Sequence, residues 1–120
     1  MKKILLIEDD AFLKQLYEDI LTQEGFEVQV IDEGIKALEK IKENKWQLIL
    51  LDVLLPNLDG FQIVDILSKE KIKLSCPVIF MTNLDATDDD KVKLSKADDY
   101  WVKSSMSPPE FLEKIKNTIK

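Results

Sequence analysis

The sequence predicts an α/β fold, a doubly wound parallel sheet with helices on both faces. Short apolar runs bounded by polar residues are typical of buried parallel strands. Segments of helical periodicity separate these runs, so strands and helices alternate along the chain. A length of 120 residues accommodates five strand–helix units in one domain. Right-handed crossovers between parallel strands then place helices on both faces of the sheet.

The first half of the chain is predicted to form three strands and two helices. The strands are predicted at Lys3–Ile7, Phe26–Ile31 and Leu48–Leu51. The second strand alternates apolar and polar residues, which indicates a half-exposed edge strand. The first helix is predicted from apolar residues at helical spacing: Phe12, Leu13, Leu16, Tyr17, Ile20 and Leu21. Gly25 occupies the position after its end, and a second helix is predicted over Ile35–Glu43.

The second half continues the same alternation. A helix is predicted over Phe61–Lys69, a strand over Val78–Met81, a mostly charged helix over Thr87–Lys96 and a strand over Asp99–Val102. The segment Ser107–Glu110 predicts a capping box with Pro at the first helical position. The last helix is predicted to bury four residues: Phe111, Leu112, Ile115 and Ile119.

Composition excludes several functions. The chain has no His and a single Cys, Cys76, so zinc, haem and iron–sulfur sites lack a ligand set. Its net charge is −6 and it has no Arg, which disfavours direct nucleic-acid binding. No apolar run approaches the roughly 20 residues that span a bilayer. We expect no secretion signal, no membrane contact and a location in the reducing cytoplasm.

Reactive side chains follow four of the predicted strands. Glu8, Asp9 and Asp10 follow the first, Asp52 the third, Thr82 the fourth and Lys103 the fifth. The carboxyl ends of parallel strands share one edge of the sheet, where ligands bind. Carboxylates 4 Å apart repel by on the order of 4 kcal/mol at intermediate dielectric, so a cation must offset this repulsion or a proton must bind. Mg²⁺ prefers such oxygen ligands and bridges them to phosphate.

Each of these residues also has a simpler interpretation. Asp52 alone is typical of a cap at a strand end. Lys103 could be a surface lysine, Thr82 an ordinary β-branched strand residue and Tyr100 a core residue. The position of these residues at the ends of neighbouring strands favours a common site.

The motifs together resemble one family. They are Ile7–Asp10, Asp52–Gly60, Phe80–Thr82 and Ala97–Lys103. In this order they resemble the receiver domain of response regulators, the CheY-like family of two-component signalling, over essentially the whole chain. The resemblance implies a flavodoxin-like (CheY-like) fold, with strand order 2-1-3-4-5 and five helices in three layers. It also implies that residues 1–120 form a single receiver domain.

The resemblance implies a phosphoacceptor and a metal site. Asp52 resembles the carboxylate that attacks phosphorus and forms an aspartyl phosphate. Asp9 resembles the direct Mg²⁺ ligand, which Glu8 assists through water. Asp52 itself and the backbone carbonyl of Leu54 are expected to complete the protein ligands.

Three further residues resemble the phosphate-binding and switching groups of the family. Thr82 and Lys103 resemble the residues that bind phosphoryl oxygens. Tyr100 resembles the switch aromatic, whose rotamer follows Thr82. The chain is then no enzyme beyond its own phosphorylation and dephosphorylation. Its expected partners are a sensor histidine kinase or phosphotransfer protein that carries phosphohistidine. An output partner, or a second copy of the chain in a homodimer, is expected at the surface of the fourth helix, fifth strand and fifth helix.

Several residues depart from the family pattern or vary within it. Ser104 stands where Pro is usual, Asn83 where Ala is frequent and Lys96 where Gly is frequent. Because a cis bond before a residue other than Pro costs roughly 3–4 kcal/mol, the Lys103–Ser104 peptide is predicted to be trans.

Leu54 and Leu84 occupy the two positions that flank the approach of hydrolytic water in this family. Neither side chain can orient a water by hydrogen bonding, and both can exclude one. The sequence therefore predicts slow self-dephosphorylation.

Three alternatives stay open at this point. A pseudo-receiver would keep the fold without phosphorylation, although such domains normally lack an acid or the Lys. A flavodoxin-like FMN binder needs a Ser/Thr/Gly-rich loop after the first strand, where this chain has acids. A Mg²⁺-dependent phosphohydrolase commonly has a second Asp two residues after the nucleophile, where this chain has Leu54.

Overall fold

The computed structural model describes residues 2–83 and 88–119. Within them, strands and helices alternate as predicted, and a short 3-10 helix at Lys103–Ser105 precedes the last α-helix. The strands are β1 (Lys3–Ile7), β2 (Glu27–Ile31), β3 (Leu48–Asp52), β4 (Val78–Thr82) and β5 (Asp99–Val102). The α-helices are α1 (Ala11–Gln23), α2 (Gly34–Lys42), α3 (Gly60–Lys69), α4 (Asp88–Leu94) and α5 (Pro108–Thr118). The predicted start of the fourth helix, Thr87, lies outside the described residues.

All five strands are parallel and lie in the order β2-β1-β3-β4-β5, which confirms the predicted doubly wound topology. Ile7 pairs with Leu51, and Asp52 pairs with Met81. Thr82 in turn pairs with Val102. This register brings the carboxyl ends of β1, β3, β4 and β5 to one edge.

Side chains of alternating direction divide the core into two layers, one on each face of the sheet. One layer packs under α2 and α3 and includes Leu5, Ile49 and Phe80. The other packs under α1 and α5 and includes Leu6 and Leu50. Every residue of β3 is buried, as the continuous apolar run predicts. The central strand is therefore covered on both faces, and only its end is open to a ligand.

Two local features fix the backbone around this edge. The Asp10 side chain accepts a hydrogen bond from the Leu13 backbone N–H and caps α1, so the chain turns sharply after β1. Gly60 starts α3 and lies against the end of β3. A Cβ at this glycine would stand 2.6 Å from the Asp52 carbonyl oxygen. The close approach requires glycine at this position, and the Asp59 side chain caps the helix that begins there.

Other local predictions are confirmed. Gly25 follows α1 with φ of +90°, and Ser107 and Glu110 form the capping box that starts α5. Phe12 belongs to the predicted apolar stripe of α1 but is not buried. It is 73% exposed, whereas Tyr17 and Leu21 of the same stripe are buried. Among the described residues, no helix is long and apolar enough to cross a membrane.

Candidate functional site

Three carboxylates meet at the carboxyl edge of the sheet. Oxygens of Glu8, Asp9 and Asp52 all lie within 4.8 Å of one another. Glu8 and Asp52 are buried, with 2% and 4% of their surface exposed, whereas Asp9 is open to solvent. The predicted convergence of these acids is therefore observed.

Lys103 provides a cation at this cluster. Its Nζ lies 2.8 Å from Glu8 Oε1 and 3.0 Å from Asp52 Oδ2, and its side chain is only 7% exposed. Lys103 follows β5 directly and starts the 3-10 helix. The Lys103–Ser104 peptide is trans, as predicted. The ammonium thus points inward without proline after it.

Burial and the neighbouring charges shift the pKa values of these groups. Burial, reinforced by the hydrogen bond and charge of Glu8, raises the pKa of Asp52 to about 7, although Lys103 acts in the opposite direction. Burial lowers the pKa of Lys103, but Glu8 and Asp52 outweigh it and raise that pKa overall. The two buried carboxylates and one ammonium leave the site with a deficit of positive charge.

The loop after β3 holds Asp52 in place. Asp52 Oδ1 accepts a hydrogen bond from the Leu54 backbone N–H at 3.3 Å. The Val53 N–H donates to the Met81 carbonyl at 3.2 Å, and the Val53 carbonyl accepts from Gly60 at 2.8 Å. The Leu54 side chain points outward and is 62% exposed. The carboxylate is therefore oriented by backbone that is itself anchored to β4 and α3.

Thr82 and Tyr100 lie on the neighbouring strands. Thr82 is buried, with 2% of its surface exposed, at the end of β4. It follows Met81, the residue that pairs with Asp52. Tyr100 is half-buried on β5, pairs with Phe80 and packs against the core layer under α2 and α3. Tyr100 therefore lies on the adjoining strand, outside the carboxylate cluster.

The carboxylates and the ammonium open into a cleft of about 310 Å³. Its lining consists of Glu8, Asp9, Asp10, Leu13, Asp52, Leu54, Asn83 and Lys103. Leu84, the second residue predicted to flank the water approach, lies outside the described residues. Asp10, one of the three acids after the first strand, and Leu13 are lining residues to which the sequence gave no role in the site. Their position at the start of α1, directly after the acids, is the signal that could have indicated them.

Small polar ligands rather than apolar ones suit this cleft. The oxygens of three carboxylates form a hard, anionic donor set of the kind that divalent cations prefer. Lys103 adds a fixed positive charge beside Asp52. Carboxylates that can hold a divalent cation, with an ammonium a few ångströms away, form an arrangement that can accept a phosphoryl group.

Comparison with known proteins gives the same class. The family described as response regulator receiver domain matches residues 4–116. The uncharacterized transcriptional regulatory protein YclJ of Bacillus subtilis is 31% identical over 118 residues, which are 98% of this chain and 51% of that protein. The chain thus spans about half the length of this curated relative.

Two solved structures are similar over nearly the whole chain. A CheY-like response regulator receiver domain protein from Methanospirillum hungatei JF-1 is 30% identical, with a TM-score of 0.85, covering 99% of this chain and 94% of that one. The receiver domain of a sensor histidine kinase from Pseudomonas aeruginosa PAO1 is 26% identical, with a TM-score of 0.80 and coverages of 98% and 97%. That structure holds a magnesium ion coordinated in its active site cleft.

The fold and the acidic cleft together define a receiver-type α/β module. The chain belongs to the response regulator receiver domain family, the CheY-like receivers of two-component systems.

Proposed function

We propose that Asp52 is the phosphoacceptor of this receiver and takes its phosphoryl group from the phosphohistidine of a sensor histidine kinase or phosphotransfer protein. One observation carries the proposal: Asp52 is buried at the end of the central strand with Lys103 Nζ 3.0 Å from its Oδ2. As phosphorus approaches, the Lys103 ammonium neutralises part of the negative charge of Asp52 and of the phosphoryl oxygens. A carboxylate held by backbone contacts at the cleft floor is positioned for attack.

The acids of the cleft fit Mg²⁺. Oxygens of Glu8, Asp9 and Asp52 lie close enough together to surround one cation, and Lys103 balances only part of their charge. We assign Asp9, Asp52 and the Leu54 carbonyl as ligands, with Glu8 assisting through water. When bound, Mg²⁺ neutralises charge on the phosphoryl oxygens. The solvent-exposed Asp9 gives the ion a route of entry.

Phosphoryl transfer then needs little chemistry from the protein. An Asp52 oxygen forms a bond to phosphorus while the bond from phosphorus to the donor histidine nitrogen breaks, and that nitrogen keeps the electron pair. Lys103 and the Thr82 hydroxyl bind phosphoryl oxygens in the product. The chain acts on its own carboxylate and, with water, reverses the modification. It turns over no external substrate in this assignment.

The modified aspartate changes a distant surface through Thr82 and Tyr100. The phosphoryl group brings charge and acceptor oxygens to the end of β4, and Thr82 moves toward it. Tyr100, on the adjoining strand, follows and alters the face formed by α4, β5 and α5. This face binds an output partner or a second receiver. Because the Bacillus relative is named a transcriptional regulatory protein, we assign the output to transcription, in the cytoplasm, with residues 1–120 as one receiver domain.

Reductive trapping tests the proposal. The wild-type protein is incubated with phosphoramidate and Mg²⁺, and borohydride then converts any aspartyl phosphate to homoserine. Peptide mass spectrometry is expected to find homoserine at position 52 alone, and none when EDTA replaces Mg²⁺. Homoserine at another aspartate, with Asp52 unmodified, would overturn the assignment.

A further inference from the structure

Asn83 lines the cleft but has no role in the phosphoryl transfer proposed for Asp52. It is the first residue after β4, and its exposed side chain lines the cleft together with Asp52 and Lys103. Met81 of β4 pairs with Asp52 of β3. Asn83 is two residues after Met81, just past the end of β4. A side chain at this point faces whatever group occupies the mouth of the cleft.

The cleft is poor in hydrogen-bond donors. Among its described lining residues, four are acids that only accept hydrogen bonds when ionised, and two are leucines. Side-chain N–H donors come from Lys103 and Asn83 alone within this lining. Lys103 already directs hydrogen bonds to Glu8 and Asp52, and an ammonium has three donors in all. Asn83 therefore carries the lining's main unassigned donor.

Alongside Lys103 and Thr82, a phosphoryl group on Asp52 can use such a donor. It carries a charge of about −1.5 to −2 and three strong acceptor oxygens. We propose that the Asn83 carboxamide donates a hydrogen bond to a phosphoryl oxygen and binds the group during transfer. This inference rests on the proposed function of Asp52. An amide suits the position because it donates without adding net charge beside Lys103.

Size is the competing explanation for Asn83. If the side chain only narrowed the mouth of the cleft, it would obstruct phosphodonors, and a smaller residue would speed their reaction. Two variants separate donation from bulk. Asn83→Leu keeps the branched shape at a somewhat larger volume and has no N–H, whereas Asn83→Ala removes both the bulk and the N–H. Asn117→Ala, at an exposed position of α5, is the matched control.

The first measurement is the rate of phosphorylation by phosphoramidate at saturating Mg²⁺, followed by intact mass. Loss of one charge-assisted hydrogen bond is expected to slow both Asn83 variants about tenfold. Asn117→Ala is expected to react at the wild-type rate. A faster Asn83→Ala, with Asn83→Leu unchanged or slower, would show obstruction by size, and wild-type rates in both variants would show no role. Either result overturns the inference.

The second measurement uses beryllofluoride, a non-transferable mimic of the phosphoryl group. Calorimetric titration in saturating Mg²⁺ is expected to give about tenfold weaker binding to both Asn83 variants, with unchanged Mg²⁺ affinity and melting temperature. Equal beryllofluoride affinity in all proteins would overturn the inference while leaving Asp52 as phosphoacceptor. Failure of the wild type itself to be phosphorylated would overturn both proposals.

Discussion

The Lys103 ammonium lies 2.8 Å from the Glu8 carboxylate, although 95 residues separate them in the chain. Both side chains are almost fully buried, and the same ammonium also contacts Asp52. Lys103 therefore neutralises two buried acids as well as facing the proposed phosphoryl site. Glu8 is held by a protein cation before any metal arrives.

Removal of this cation should destabilise the fold. Lys103→Met leaves Glu8 and Asp52 buried without a counter-charge, and breaking a buried ion pair costs about 3–5 kcal/mol. We expect the free energy of unfolding in urea, measured without Mg²⁺ at pH 8, to fall by about this amount. The control is Lys96→Met, which breaks the exposed ion pair with Asp65 and should cost less than about 1 kcal/mol. Equal losses in the two variants would contradict the energetic importance of the buried cluster.

Stability should depend on pH through Asp52. Its pKa in the folded protein is about 7, above the ordinary value of 3.8, so the folded state binds this proton more tightly. The resulting stabilisation is largest near pH 4 and is lost as pH rises through 7. The chain has no His, and Glu33, Glu43 and Glu110 have lowered pKa values, so their titration lies at lower pH.

The pH dependence is tested by comparing wild type with Asp52→Asn in EDTA. Between pH 5 and 8 the unfolding free energy of the wild type should fall by on the order of 2 kcal/mol, and that of the variant should stay nearly constant. The variant should be the more stable protein at pH 8. Parallel pH profiles for the two proteins would show that Asp52 does not titrate in this range.

Mg²⁺ should bind weakly without phosphate, and its affinity should depend on Asp9. Few protein ligands and several retained waters give modest affinity. Calorimetric titration of Asp9→Ala is expected to show at least a tenfold loss of Mg²⁺ affinity, with the fold intact because removal of an acid relieves repulsion. The control is Asp19→Ala, which removes an exposed aspartate of α1 that does not line the cleft. Unchanged affinity in Asp9→Ala would place the metal elsewhere.

The sequence predicted the sheet because apolar periodicity and capping residues are local signals. β1 and β5 match their predicted bounds, and the acids at the strand ends meet where parallel pairing puts them. The contact between Glu8 and Lys103 could not be predicted, since it depends on side-chain length and direction across the two strands, β3 and β4, that separate β1 from β5. Phe12 likewise fits a helical stripe, but α1 is rotated so that Tyr17 and Leu21 face the core.

The lifetime of the phosphorylated state should depend on Leu54. This leucine lines the cleft with an exposed side chain that cannot orient water. Loss of the phosphoryl group is expected to be slow in the wild type and about tenfold faster in Leu54→Asn/Leu84→Glu, because polar groups can hold the attacking water. Intact mass against time gives the rates. Val92→Asn, at an exposed apolar position of α4 that does not line the cleft, is the control. Equal decay in all three proteins would mean that the leucines do not exclude water.

Asp52→Asn tests the phosphoacceptor most directly. The asparagine keeps the shape of the side chain but cannot form an acyl phosphate. After incubation with a small phosphodonor and Mg²⁺, intact mass should show one added phosphoryl group on the wild type and none on the variant. Modification of Asp52→Asn at the wild-type rate would contradict the assignment of Asp52 as the phosphoryl acceptor.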